Sequence, residues 1–163
     1  MPKPPRLPPD TLAAMVRGVS VIVSSRDAAL RPSVMRAVGS TVSADGGDIT
    51  VYLARTQSRQ LLQDIAATGH IAVVFSEPST HRTVQLKATR AQLRNAGPED
   101  LPELARYLAS MENEIQRVGH PPPMTRAMLA HRLDDLVAVS FRPEQAFDQT
   151  PGPRAGAQLG NVA

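Results

Sequence analysis

The chain has 163 residues, 42% of them apolar and 20% charged, with a formal net charge of +3 and an isoelectric point near 9.9. That length carries one domain with a core, and the apolar share argues against wholesale disorder. Three Phe, two Tyr, no Trp and no Cys exclude disulfides, thiolate metal sites and a cysteine nucleophile, and they disfavour a base-stacking nucleic-acid barrel.

Taken in chain order, residues 1 to 9 hold five prolines and predict a flexible N-terminal arm. Its basic residues are not followed by an apolar run, so no secretory leader is predicted, and no run has the length of a membrane span. The expectation is a cytoplasmic protein. Pro9-Asp10-Thr11 starts a short helix that Gly18 stops. Val19, Val21 and Val23 alternate with Ser20, Ile22 and Ser24, which predicts a strand. Arg26-Asp27 begin a turn, and residues 33–43 form a second strand. The glycine-rich turn at 44–48 returns an antiparallel strand over 49–54.

Residues 57–67 read as a helix with Leu61 and Ile65 on one face, ended by Gly69. Ile71 to Phe75 is apolar throughout and fits a central strand. Thr83, Gln85, Lys87 and Thr89 alternate with Val84, Leu86 and Ala88, giving a strand with one polar face. Residues 98–118 read as a helix with Leu101, Leu104, Leu108, Met111, Ile115 and Val118 as its stripe, and 124–132 as a short helix. Val137 to Phe141 is the last strand. The division is therefore arm 1–9, domain 10–142 and extended C-terminal tail 143–163. Six mostly antiparallel strands with hairpin connections predict a mainly β (α+β) fold, a six-stranded antiparallel barrel with flanking helices.

The stretch from Arg31 to Gln60 carries the chemistry. A helix start already presents unpaired N–H groups and partial positive charge, and Arg59 stands there beside Ser58. A phosphate would resolve that conflict. Arg31 and Arg36 flank the second strand; being five apart, they face opposite sides unless Pro32 breaks the phase.

This pattern resembles the flavin-binding split barrels related to pyridoxamine 5'-phosphate oxidase. The residues that carry it are Arg31, Pro32-Ser33-Val34-Met35 and Arg36, then the pair Tyr52-Leu53, then Ser58-Arg59, with Gln60 where a further basic residue often stands. Gln85 is the candidate for the family's glutamine near the flavin ring, with Thr83 as the alternative, and Ala88 replaces a common glycine. The resemblance implies FMN as cofactor and a homodimer with the cofactor at its interface. It further implies redox chemistry on a small-molecule substrate, or flavin binding or haem handling without turnover. It also suggests that the tail lies against the partner subunit; residues 143–158 offer Arg154 but not the oxidase's own substrate-binding pattern. His70, His81, His120 and His131 are scattered, without a zinc spacing.

Overall fold

The computed structural model describes residues 3–160. Ten strands form two antiparallel sheets. One has the order β10-β9-β6-β5-β1-β2 and the other β3-β4-β8-β7. The first comprises β1 (Ser20–Arg26), β2 (Pro32–Arg36), β5 (Ile71–Ser76), β6 (Thr83–Ala88), β9 (Gln145–Asp148) and β10 (Ala157–Gln158). The second comprises β3 (Gly39–Val42), β4 (Ile49–Ala54), β7 (Gln92–Asn95) and β8 (Leu136–Phe141). The helices are α1 (Pro9–Arg17), α2 (Arg59–Thr68), α3 (Leu101–Arg117) and α4 (Pro122–Met128). Together they make a split barrel with flanking helices.

Alternation along the strands builds the core. Val21, Val23, Val73, Phe75, Val84, Leu86 and Ala146 point inward from the first sheet. Val51, Leu53, Val137, Val139 and Phe141 meet them from the second, and Leu61, Leu62 and Ile65 of α2 fill the gap. Each large side chain so buried contributes about 2 kcal/mol. A smaller cluster lies on the other side of the second sheet, where Tyr52, Ala54, Leu136 and Ala138 pack on Leu104 of α3.

α3 is tied down by more than its leucines. Tyr107 is wholly buried, and its hydroxyl donates to the Val19 carbonyl at 2.7 Å. Ser110 donates to the Gly18 carbonyl at 2.6 Å. Gly18 has φ +114, and a Cβ there would stand 3.2 Å from both Tyr107 and Ser110, so glycine allows this close approach. Leu101 and Val118, placed in the stripe by spacing, are 47% and 43% exposed.

Three features differ from the sequence reading. The stretch 33–43 is two strands, because the chain leaves one sheet for the other at the connector between them. There Ala37 N–H donates to Val21 O and Val38 N–H to Tyr52 O. The arm is docked at its far end, with Pro5 and Leu7 buried. The tail finds a seat on its own chain, since β9 pairs with β6 and β10 with β9, which covers an otherwise open edge.

Candidate functional site

The outer face of the six-stranded sheet collects several of the expected residues. Register places Arg36 beside Ile22, Ile22 beside Val74, Val74 beside Gln85 and Gln85 beside Phe147, a single row across five strands. The neighbouring row runs Val34, Ser24, Ala72, Lys87, Gln145. Among the described residues, the strands place three cations on this face, Arg26, Arg36 and Lys87, and no Asp or Glu. Its middle is apolar, with Val34 61% exposed.

Gln85 and Thr83 both point outward but differ in freedom. The Thr83 hydroxyl donates to His81 O at 2.9 Å and lies 2.8 Å from the Ser76 hydroxyl. The Gln85 carbonyl accepts a longer bond, 3.3 Å, from Gln149, which leaves its amide N–H groups free to donate. Of the two, Gln85 has the freer polar group.

The start of α2 is the second component. Ser58 is the residue before the helix and 2% exposed, and its Oγ makes no hydrogen bond, not even as a cap. The first turn holds Arg59 and no acid. A buried hydroxyl without a partner costs about 1–3 kcal/mol. In the second turn Asp64 accepts from Ser33 at 2.6 Å and from Gln60 at 2.9 Å, so Gln60 is engaged within its own helix. The helix runs alongside β2. Its end leads to His70, whose carbonyl takes the Ser25 hydroxyl at the far end of β1. Because β1 and β2 are antiparallel, the start of α2 lies towards the Arg36 end of β2.

Arg31 is placed differently. β2 keeps an unbroken register from Arg26↔Pro32 to Ile22↔Arg36, so Pro32 does not reset the phase. Arg31 therefore falls on the side of Ser33 and Met35, opposite to Arg36. Its N–H donates to the Asp27 carboxylate at 2.9 Å in the β1–β2 turn.

Tyr52 and Leu53 lie in the second sheet. Leu53 is wholly buried in the core. The Tyr52 side chain points away from the barrel interior, and its hydroxyl donates to Asp100 at 2.7 Å. Arg94 grips the same carboxylate with two bonds, 2.7 and 2.8 Å, and the Gly97 N–H adds a third contact at 2.9 Å. The Arg94 fork holds the Asp100 carboxyl well below the usual carboxylate range despite its burial. Burial and the neighbouring carboxylate push the Tyr52 phenol upward. Both functional groups are spent on this network, and sequence spacing offered no sign of Asp100 or Arg94. The network walls a groove of about 1390 Å³. Three of the groove's four arginines are already matched by acids: Arg94 by Asp100, Arg106 by Glu103 and Arg142 by Asp48.

No family model matches the chain, and no curated protein matches it. Solved structures do. An F420 reductase has TM-score 0.58 at 15% identity, covering 86% of this chain and 98% of that one. A putative pyridoxamine 5'-phosphate oxidase from Lactobacillus delbrueckii has TM-score 0.52 at 15% identity, with 87% and 93% covered. HupZ of Group A Streptococcus has TM-score 0.51 at 14% identity, with 91% and 95% covered. The chain has their split-barrel fold. At these identities the likeness concerns the fold alone. No group of His, Asp or Glu among the described residues is arranged to hold a metal, and no helix there is long and apolar enough to cross a membrane.

Proposed function

We propose that this chain is an FMN-binding split-barrel protein, acting as a flavin-dependent oxidoreductase on a small-molecule substrate. The observation that carries the reading is the start of α2: an arginine in an acid-free first turn, above a buried Ser58 hydroxyl with no partner. A phosphate is the group that answers both, since helix-start amides, a hydroxyl and guanidinium groups all donate to it. Arg36 stands at the same end of β2, and Gln85 lies on the Arg36 row with apolar Ile22 and Val74 between them. That face offers a flat apolar bed for a ring and a carboxamide for its polar edge.

In this reading Ser58 and Arg59 hold the phosphate, while Arg36, on the outer face with its Nη1 donating to Ser20 at 2.8 Å, and Gln85 border the ring. Arg31 and the pair Tyr52-Leu53 fit less well. The backbone of the pair, expected at the ring, is paired within the second sheet, where the Tyr52 carbonyl accepts from the Val38 N–H, and Arg31 lies at the other end of β2 from the start of α2. Bound FMN supplies the electron-transfer chemistry, while the protein positions it. A second copy facing the same sheet completes the site, giving a homodimer. A cysteine-free chain suits a cytoplasmic setting.

The absorbance spectrum of freshly purified protein tests the cofactor, followed by FMN titration of Arg59→Ala. The expected result is oxidised-flavin absorbance and affinity about tenfold lower in the variant, as for a lost charge-assisted bond. Unchanged affinity overturns the phosphate assignment, and a haem spectrum in place of flavin overturns the cofactor. Oxidation of a nicotinamide donor by the loaded protein separates an enzyme from a flavin binder without turnover.

A further inference from the structure

One pocket on the same sheet face is not used by the cofactor reading. It measures about 360 Å³ and is walled by Ser24, Arg26, His70, Ala72, Lys87 and Glu144. Ser24 pairs with Ala72 and Ala72 with Lys87, so the register brings Arg26 and His70 opposite each other at the end of the row. Arg26 Nη2 lies 3.3 Å from His70 Nε2. A guanidinium can only donate, so in this contact Arg26 is the donor.

The pocket's two cations, Arg26 and Lys87, outnumber its one acid, Glu144. Among the described residues neither Arg26 nor Lys87 has a carboxylate at ion-pair distance. The acid at the rim, Glu144, is held by Thr89 through one of its oxygens. Its Oε1 accepts from the Thr89 N–H at 3.0 Å and the Thr89 hydroxyl at 2.8 Å. Lys87 Nζ rests 5.0 Å from the centre of the Phe147 ring, a contact that holds a cation without neutralising it. Arg26 is half-buried, where repulsion is screened less than in open water. Two cations and an imidazole wall therefore form a seat for a negative group.

We infer that this pocket receives the anionic group, a carboxylate or a phosphate, of the small-molecule substrate. The assignment to a substrate rests on the flavin reading, because Lys87 stands two residues from Gln85 on the same face. The anion site itself does not.

Titration of the full chain with inorganic phosphate and with acetate, followed by amide NMR, tests it. Saturable shifts are expected at Ser24 to Arg26 and His70 to Ala72, and they persist when FMN is saturating. Arg26→Ala and Lys87→Ala each weaken the binding about tenfold, whereas Arg142→Ala, on the other sheet, leaves it unchanged. Lys87 is exposed, so its variant tests the pocket even where Arg26→Ala fails to fold. Tighter phosphate assigns a phosphorylated substrate, and tighter acetate a carboxylic acid. Shifts confined to Arg59 to Leu61, equal affinity in Lys87→Ala, or loss of the shifts under saturating FMN each overturn the inference. Phosphate binding at Arg26 without any FMN binding would leave the pocket standing and sink the flavin reading instead.

Discussion

Asp100 is 4% exposed yet keeps its charge, because the Arg94 fork, the Tyr52 hydroxyl and the Gly97 N–H converge on it. The two pKa shifts set opposite limits on stability. Asp100 is shifted downward in the folded chain, so its contribution is present above about pH 3.9 and is lost as pH falls below that value. Tyr52 is shifted upward, so its contribution is present below about pH 10 and is lost as pH rises through the folded value. Tyr52→Phe is expected to cost about 1 kcal/mol at neutral pH, one hydrogen bond with two partners left on Asp100. Denaturant unfolding across pH should show a shallower alkaline loss in the variant and also a smaller acid loss, because the Tyr52 hydroxyl is one of the groups that hold the Asp100 carboxyl down. Tyr107, whose burial also raises its phenol, contributes to the alkaline loss that remains. A variant whose alkaline limb is as steep as the parent's would remove Tyr52 from that account. None of this was legible in sequence, since Tyr52, Arg94 and Asp100 are joined only by folding.

At the scale of elements, α2 is the telling case. Its amphipathic spacing and its Gly69 stop are plain in sequence. Gly69 adopts φ +72, and a Cβ there would stand 2.5 Å from the Thr89 carbonyl. Its function shows in an inefficiency, the unpartnered Ser58 Oγ. Ser58→Ala is expected to hold or raise the thermal midpoint of the cofactor-free chain, by removing a desolvated hydroxyl. The same change should weaken FMN binding severalfold. A lower midpoint with unchanged FMN affinity would make Ser58 a purely structural residue. Other elements were hidden for reasons of environment. β7 is exposed at all four positions, so Gln92–Asn95 shows no apolar alternation to read. β9 is four residues inside a Pro- and Gly-rich stretch, and only Ala146 of it is fully buried.

For the whole molecule, the described strands of the outer sheet face carry three cations and no acid, which bears on assembly. Two copies meeting through it would each bring Arg26, Arg36 and Lys87, and these repel unless anions lie between them. Dimerisation is therefore expected to strengthen with FMN. In the cofactor-free chain it should strengthen with salt, which screens beyond about 8–10 Å at 0.1–0.15 M. Sedimentation equilibrium at low and high salt, with and without FMN, checks this. A dimer indifferent to both would place the interface elsewhere, and a persistent monomer would remove it.

The amino-acid sequence by itself determined the elements with strong periodicity: β1, β4, β5, β6, β8, α2 and the body of α3. Alternation is enough for β1 and β6, where one face is buried and the other is not, whereas β4 and β8, buried on both faces, show as short apolar runs between turn signals. It also determined the candidate Ser58-Arg59, whose conflict with a helix start is a local matter. Which sheet each strand joins was decided only by tertiary structure. The chain changes sheet at Ala37-Val38, and that crossing puts Arg36 and Gln85 on one face while it commits Tyr52 to Asp100 on another. The phase of Arg31 against Arg36 waited on the same step, since a proline beside a strand permits either a break or continuity. Only the hydrogen-bonded register of β1 with β2 chose continuity.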